Sequence, residues 1–415
     1  MTTPTLPARR STCPSIVEAD LPAIDYDHCA SPAEAHAVIR AARRQGPIAR
    51  GPHGPELLSY ELVRSVLRDP RFRLPQGMFL EFQGITSGPL WDRFNSPSLA
   101  TMTGPEHHRL RRIVSKAFTP AAAGRLRSTV VEVITGLVDR HAARGSCDVV
   151  TDIARPYPIP IICALLGAPA EDWEMFSQWT DDIFRMFSWN IAEHESVIVN
   201  AFESLDAYID DMVAARRHTL TDDLISELIR AEDGGDRLSG AELRQLAGTL
   251  LIAGTDSTRH QLAASVHALC ESREQWALLG RHPELAMKAV EETVRHSLVS
   301  FCTPRQAVED VEIGGVLVPA GTLILANKAA ANRDPAVYGD PDRLDITRSA
   351  AAPMLSFGVG AHYCLGANLA RVELAEALTL MARRMPGARC VGPVRWKPLG
   401  PPLSGPTTVP IDFDV

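Results

Sequence analysis

The sequence predicts a mainly helical fold with a small β part, and three observations support this. Amphipathic patterns with capping residues recur along the 415-residue chain, as in 31–46, where a serine and a glutamate three residues later form a capping box. A much longer helical pattern begins at Ser239 and runs to about Ser272, roughly 50 Å of helix. Alternating apolar residues in 308–327, interrupted by glycine turns, predict short antiparallel strands.

Composition and charge exclude several classes of protein. Hydrophobic residues make up 45% of the chain, enough for a large core, and the net charge of −8 gives no overall attraction to nucleic acid. The eight cysteines show no CxxC spacing, so we expect reduced thiols rather than a zinc finger or a disulfide framework. No signal peptide and no run of eighteen apolar residues is found. We therefore expect a monomeric cytoplasmic protein without a nucleic-acid or membrane partner.

One cysteine stands in an unusual setting, the stretch "FGVGAHYCLG" (357–366). Glycines allow a backbone to approach a flat ligand closely, and the helix predicted to follow would stabilise an anionic sulfur at its N-terminus. A thiolate ligand to haem iron has these requirements, and His362 could donate to a haem carboxylate. The simpler alternative is a glycine-rich turn with a buried cysteine. The GxGxxG spacing of a nucleotide-binding loop is missing.

The stretch resembles the haem-binding signature of the cytochrome P450 superfamily, Phe-Gly-x-Gly-x-(His/Arg)-x-Cys-x-Gly, at every fixed position. The resemblance extends over about residues 30–412 and is closest to the soluble bacterial type. It implies a P450 fold, with an N-terminal extension (1–29), a single catalytic domain (30–415), and a haem between the long helix and the cysteine loop. The residues implied to contact this haem from the loop are Phe357, Gly358, His362, Gly366 and the iron ligand Cys364.

The middle of the long helix, "LLIAGTDSTRHQL" (250–262), contains five successive weak helix formers, which predict a local opening. The alternative is a kink in which polar side chains bond back to the backbone. The resemblance implies that Ala253 and Gly254 lie over the haem, and that Asp256 and Ser257 steer protons to bound oxygen. Serine replaces the usual threonine and lacks the methyl group that restricts the rotamer.

The stretch "EETVR" places Glu292 and Arg295 on one helical face, where they can pair. An ordinary surface ion pair is the alternative, and such pairs stabilise little. The resemblance implies a structural brace for the cysteine loop, completed by an arginine from a later segment. We assign that arginine to Arg343 in "DPDRL".

The basic helix "EHHRLRR" places His107 and Arg111 on one face. The resemblance implies that these residues and Arg305 bind the haem propionates, for which the planar guanidinium is well suited. Solvated surface charges are the alternative. Neighbouring basic residues on the cysteine side predict a patch that docks an acidic redox partner: His108, Arg109, Arg112 and Lys116.

The implied function is a haem-thiolate monooxygenase that uses haem b and O₂. No flavin or iron–sulfur motif is present, so electrons from NAD(P)H would arrive through a separate ferredoxin and ferredoxin reductase. The substrate would be a hydrophobic molecule of modest size, such as a terpenoid, steroid, fatty acyl or aromatic compound, in an apolar pocket. Candidate lining residues are Phe79, Phe82, Trp91, Phe94, Met186, Phe187, Trp189, Val299, Phe301 and Leu403.

Three alternatives stay open on sequence. The first is a peroxide-driven or isomerising haem enzyme of the same fold, against which the Asp256–Ser257 pair argues. The second is a non-enzymatic haem sensor or carrier. The third is a helical protein without haem.

Overall fold

Helices form most of the structure, a computed structural model that describes residues 12–81, 83–187, 190–233, 238–349, 352–399 and 403–415. The α-helices of this part of the chain are α1 (Pro32–Gln45), α2 (Tyr60–Arg68), α3 (Met78–Glu81), α4 (Pro89–Asn95), α5 (Gly104–Ser115), α6 (Pro120–Arg125), α7 (Arg127–Ala142), α8 (Pro158–Leu166), α9 (Trp173–Phe184), α10 (Ile191–His218), α11 (Leu224–Asp233), α12 (Gly240–Glu271), α13 (Arg273–Arg281), α14 (Ala286–His296), α15 (Lys328–Ala331) and α16 (Ala367–Arg384).

The strands are short and form four small sheets. Their bounds are β1 (Ile48–Gly51), β2 (Gly54–Leu57), β3 (Phe72–Arg73), β4 (Ser146–Asp148), β5 (Cys302–Ala307), β6 (Val311–Ile313), β7 (Val316–Val318), β8 (Leu323–Asn327), β9 (Arg389–Cys390), β10 (Arg395–Trp396), β11 (Pro406–Thr408) and β12 (Pro410–Asp412). The largest sheet has the order β1-β2-β8-β5-β3, and a three-stranded sheet has the order β4-β12-β9. The strands predicted within 308–327 are confirmed as β6, β7 and β8.

The long helix α12 passes through the core and packs against α8, α9, α10, α14 and α16. Ser239 caps it through the predicted capping box, and its 32 residues span about 48 Å. The helix is continuous, so the predicted local opening is wrong. The hydroxyls of Thr255 and Ser257 donate instead to the carbonyls of Leu251 (2.7 Å) and Ala253 (3.2 Å), which uses their hydrogen-bonding capacity without breaking the helix.

Next to α12 lies an apolar helical segment, Val149–Leu166. By length and composition this segment could cross a membrane, but 67% of it is buried inside the protein, as in a core helix. Gly254 lets α8 approach α12 closely, because a Cβ there would lie 2.9 Å from Cδ1 of Ile162. A side chain at this position would require the Ile162 side chain to shift.

The described part of the segment predicted to be an N-terminal extension packs on the core. The amide of Ile16 donates to the carbonyl of Leu317 (2.8 Å), and that of Ile24 donates to the carbonyl of Arg50 (3.0 Å). Both isoleucines are buried. Residues 12–29 therefore contribute apolar contacts to the same domain.

A buried ion pair on α14 holds the segment that precedes the cysteine loop. Nε and Nη2 of Arg295 each lie 2.8 Å from one carboxylate oxygen of Glu292. The third member is Arg348, whose Nε lies 3.1 Å from Glu292, and the assignment to Arg343 is wrong. The Arg343 side chain is 64% exposed and lies 4.0 Å from Asp345. Arg343 contributes to the brace through its backbone, because its carbonyl accepts hydrogen bonds from Arg295 and Arg348.

The ion pair is connected to the cysteine loop through Asn332. Nη1 of Arg295 donates to the Asn332 carbonyl (2.9 Å). The Asn332 side chain accepts from the amide of Leu355 and donates to the hydroxyl of Ser356, both at 2.8 Å. Ser356 in turn donates to the carbonyl of Val294 on α14 (3.0 Å). The start of the loop is therefore fixed relative to α14.

The correction from Arg343 to Arg348 gives a matched pair of variants. We expect Arg348→Ala to lower the free energy of unfolding by about 2–4 kcal/mol, because it removes a charged partner from a buried carboxylate. Arg343→Ala keeps the backbone carbonyl and should change it by less than about 0.5 kcal/mol. Urea denaturation of both variants measures the difference, and an equal effect would contradict the brace described above.

The pH dependence of stability provides a second prediction, at His296. Burial, and then the charge of Arg333, lower the pKa of His296 to about 3, while an unfolded histidine titrates near 6.5. The unfolded state then binds more protons below about pH 6.5, so stability falls as the pH falls from about 6.5 toward 3. We expect His296→Gln to remove about 1–2 kcal/mol of the loss between pH 7 and 5.

The comparison uses urea midpoints of wild type and variant at both pH values. His108→Gln, at an exposed position of α5, is the control. Its urea midpoint should change between the two pH values by as much as that of the wild type. If the urea midpoint of His296→Gln changed with pH as much as that of the wild type, this histidine would not contribute to acid destabilisation.

Candidate functional site

The cysteine loop is a tight turn that places Cys364 directly before α16. The amide of Cys364 donates to the carbonyl of Phe357 (2.8 Å). Gly358 and Gly360 have φ values of 70° and 79°, in the left-handed region where glycine is favoured. A Cβ at Gly360 would also lie 3.2 Å from the carbonyl oxygen of Leu67. These two positions explain why the loop needs glycine.

The surroundings of Cys364 act in opposite directions on its thiol. Burial raises its pKa, and this effect is the largest. A hydrogen bond from the Gly366 amide and the charges of Arg111, Lys328 and Arg371 lower it. A bound metal ion would add the positive charge that keeps a coordinating thiol deprotonated.

Two imidazoles meet beside the loop. The His107 side chain is 1% exposed, and neither of its ring nitrogens has a hydrogen-bond partner in the described structure. Its ring centroid lies 4.5 Å from that of His362. Burial, followed by the charges of His107, Arg305 and Arg111, lowers the pKa of His362 to about 4. Both nitrogens of His107 are thus orphaned polar atoms.

Arginines complete this basic cluster, which we define as His107, Arg111, Arg305 and His362. Arg305 is 4% exposed, and burial lowers its pKa to about 10. Arg305 donates a hydrogen bond to the adjacent carbonyl of Pro304, and Arg111 donates to the carbonyl of Tyr363. Among the described residues, no carboxylate pairs with any member of the cluster. The donors fit an anionic group such as the two carboxylates of haem.

The α12 face that carries Ala253 and Ser257 is exposed, although most of this helix is buried. These two residues are one turn apart and therefore share a face. The Cβ direction of Gly254 points to α8 instead. The exposed face can border a bound molecule.

Asp256 lies on a different face from Ser257, and the structure does not join the two by a hydrogen bond. The Asp256 side chain is 1% exposed and pairs with Arg259. Arg259 also binds Asp181 on α9 at 2.6 Å, and Nε2 of His260 lies 3.5 Å from the Asp256 carboxylate. The partners of Asp256 were not identified from the sequence.

Several predicted pocket residues come together. Trp91 and Phe94 of α4 and Met186 pack against one buried apolar cluster. Val299 is buried, and its carbonyl accepts from the Ser404 amide at 2.6 Å, which brings the segment containing Leu403 beside it.

Phe301 does not line this region, so that prediction is wrong. Its ring lies 5.3 Å from His36 and 6.0 Å from Tyr26, in the core beneath α1. Its neighbour Cys302, the first residue of β5, belongs to the same buried cluster. The predicted positions Phe82 and Trp189 lie outside the described residues, as do the side chains of Phe79 and Phe187.

The predicted basic patch is smaller than expected. His108, Arg112 and Lys116 are exposed. Arg109 instead pairs with Glu106 (3.0 Å) and with Glu242 at the start of α12. These acidic partners neutralise the charge of Arg109.

Two further cations near the loop were missed by sequence reasoning. The guanidinium of Arg371 lies 4.5 Å above the Phe357 ring and donates to the Tyr363 hydroxyl at 3.1 Å. Lys328 is buried, which lowers its pKa to about 8, and it donates to Ser300 (3.2 Å). A lysine within the apolar run "LANKAAA" was a usable signal for a buried cation.

Comparisons with known proteins agree with this geometry. The sequence model of the family described as cytochrome P450 matches residues 76–277 and 281–385. Mycinamicin IV hydroxylase/epoxidase of Micromonospora griseorubida is 40% identical over 87% of this chain and 91% of that protein. Nocardicin C N-oxygenase of Nocardia uniformis subsp. tsuyamanensis is 38% identical over 85% and 88%.

Solved structures extend the agreement to the fold. The crystal structure of CalO2 superposes with a TM-score of 0.87 at 30% identity and covers 95% of this chain and 99% of that one. The predicted fold class is thereby confirmed. Most of the chain is matched by the family, by its named oxygenases and by its crystal structures, and the protein therefore belongs to the cytochrome P450 family as a haem-thiolate monooxygenase that uses haem and O₂.

Proposed function

We propose that this P450 inserts one oxygen atom from O₂ into a hydrophobic small organic substrate, with electrons from a separate ferredoxin and ferredoxin reductase. The observation that carries the proposal is the basic cluster beside the Cys364 loop. Four buried or half-buried basic groups without a carboxylate partner are costly in a folded protein unless an anion binds them.

Cys364 is proposed as the residue that would ligate the iron of haem b, and the basic cluster as the site that would hold its two carboxylates. His107 supports this role because its buried ring nitrogens have no other partner in the described structure. Phe357, Gly358 and Gly366 would lie against the macrocycle on the side of the sulfur. When bound, the haem supplies the oxygen-activating chemistry, and the protein positions and shields it.

On the opposite side, Ala253 and Ser257 would border the haem, and Ser257 would hold a proton at its hydroxyl oxygen. Asp256 is proposed to resupply that proton. Its carboxylate must first leave Arg259, because the two side chains lie on different faces of α12. Burial lowers the pKa of His260 to about 4, so at neutral pH this imidazole adds no second positive charge next to Asp256.

The substrate class is supported by the apolar residues that pack together beside α4 and α10. Trp91, Phe94 and Met186 supply aromatic and thioether surface, typical of pockets for apolar ligands. The relatives are named for different substrates, mycinamicin IV and nocardicin C among them. We therefore propose hydrophobicity and modest size rather than a particular compound.

Electron delivery is proposed to occur at the exposed basic residues of α5 and the turn after it. His108, Arg112 and Lys116 are exposed and are proposed to supply local positive charge on a chain with a net charge of −8. An acidic ferredoxin would be attracted to this patch, and its association should slow as salt screens the charges.

The haem assignment is tested by Cys364→Ala. We expect wild-type protein, reduced under carbon monoxide, to show the Soret band of thiolate ligation, and Cys364→Ala to lose it. Cys163→Ala, at a buried cysteine in α8, should keep the band. Persistence of the band in Cys364→Ala would refute the axial-ligand assignment.

The same preparations test the source of oxygen and electrons. Turnover of a library of apolar compounds should require NAD(P)H, O₂ and both redox proteins. Turnover supported by peroxide alone, with none in the complete electron-transfer system, would instead establish the peroxide-driven alternative.

Ser257 gives a matched test of proton handling. Ser257→Ala should lower the yield of product per NAD(P)H consumed by about tenfold or more, since a positioned proton donor contributes about 10²–10⁴-fold to a proton transfer. Ser257→Thr keeps the hydroxyl and should retain or improve the yield, because its extra methyl restricts the rotamer. Equal coupling in both variants would exclude a role for this hydroxyl.

A further inference from the structure

A second group of metal-ligating side chains lies at the C-terminal end of α12, ten residues beyond Ser257 and therefore about 15 Å further along the helix. His267 and Glu271 project from successive turns of α12, and Cys390 lies on β9. One imidazole nitrogen, one carboxylate oxygen and the Cys390 sulfur all lie within 4.8 Å of one another. Nitrogen, oxygen and sulfur are the donors that zinc uses in proteins.

A buried thiol supports the cysteine of this group. Cys270 is 3% exposed, lies three residues after His267 on the same side of α12, and hydrogen-bonds with Cys390. The position of Cys390 is fixed from the sheet side as well, because it pairs with Ile411 in the centre of the β4-β12-β9 sheet. The sulfur is thus oriented by both a helix and a sheet, as the partners of metal ligands commonly orient them.

The other two side chains are open to solvent and able to receive an ion. Glu271 is exposed and His267 is partly exposed. The His267 imidazole makes an edge-to-face contact with Trp396, with ring centroids 5.7 Å apart. In the described part of the chain, no lysine or arginine forms a salt bridge with Glu271. One thiolate and one carboxylate would balance the charge of a divalent cation.

From this geometry we propose that His267, Glu271 and Cys390 bind a divalent zinc-type ion, with water as the fourth ligand and Cys270 hydrogen-bonded to the ligating sulfur. Tetrahedral zinc with its usual bond lengths places its ligand atoms about 3.3–3.8 Å apart. Side-chain rotations that move the ligand atoms by about 1 Å would therefore bring them to the spacing that tetrahedral zinc requires. The bound ion would link the last turn of α12 to the C-terminal sheet.

The test uses haem-containing enzyme that has been stripped with a chelator and kept anaerobic, so that the thiols stay reduced. Equilibrium dialysis against Zn²⁺ should show one saturable ion per chain. Cd²⁺ should add a thiolate charge-transfer band in the ultraviolet difference spectrum, with no change in the Soret band. Cys390→Ser should lose the charge-transfer band, and both Cys390→Ser and His267→Ala should weaken Zn²⁺ binding by at least about tenfold.

Cys13→Ser, at a cysteine outside the cluster, is the control and should bind like wild type. Zn²⁺ should also raise the Tm of wild type and Cys13→Ser but not of Cys390→Ser. The exposed ligand provides a variant that leaves the core untouched, Glu271→Gln, which should weaken binding with an unchanged apo Tm. Absence of saturable binding to wild type, or wild-type affinity in both His267→Ala and Cys390→Ser, would overturn the proposal.

Discussion

The buried ion pair of Glu292 and Arg295 determines where the cysteine loop lies. Both side chains are at most 4% exposed, so their desolvation is unfavourable unless every polar atom finds a partner. The Glu292 carboxylate meets this condition with Arg295, Arg348 and the amide of Asp345. The remaining donor capacity of Arg295 goes to the backbone that leads to the loop. These bonds connect residues 332–348 and the loop to α14. Moving one charged partner away would leave the other buried without a partner, which is unfavourable.

The basic cluster shows the opposite arrangement. The brace satisfies its charges within the chain, whereas His107 and Arg305 keep hydrogen-bonding capacity that the described protein does not use. Buried polar groups in native proteins are nearly always paired, so the unpaired nitrogens of this cluster support the proposal that a ligand binds there. The brace is satisfied within the chain and the basic cluster is not, which is the physical difference behind the separate roles proposed for them.

The sequence was sufficient where one residue type has one physical use. The glycines of the loop, the cap at Ser239 and the position of Cys364 before a helix all follow from local chemistry. It was insufficient where a long side chain had a choice of direction. Arg343 and Arg348 lie in one irregular segment, and only the path of the backbone decides which guanidinium turns inward.

The same limit applies to faces and partners that depend on tertiary packing. Phe301 lies two residues after Val299 in sequence, but its ring packs in the core beneath α1, which only the tertiary structure reveals. Asp256 pairs with Arg259, three residues later on α12, and Arg259 also binds Asp181 on α9. The spacing of the first pair is local, but the contact with α9 depends on tertiary packing. The sequence thus shows which residues are hydrophobic or charged, but the surface that each side chain faces depends on tertiary packing.

Because α12 is continuous over Gly240–Glu271, its helical repeat relates the directions of side chains at distant positions. Eighteen residues separate the capping Ser239 from Ser257, which is five complete turns, or about 27 Å. The hydroxyl therefore points in nearly the same direction as the cap. Adding or removing a single residue between them would rotate Ser257 by about 100° about the helix axis and present a neighbouring side chain in its place. The direction in which each side chain of this helix projects is thus set by its distance in residues from the first turn.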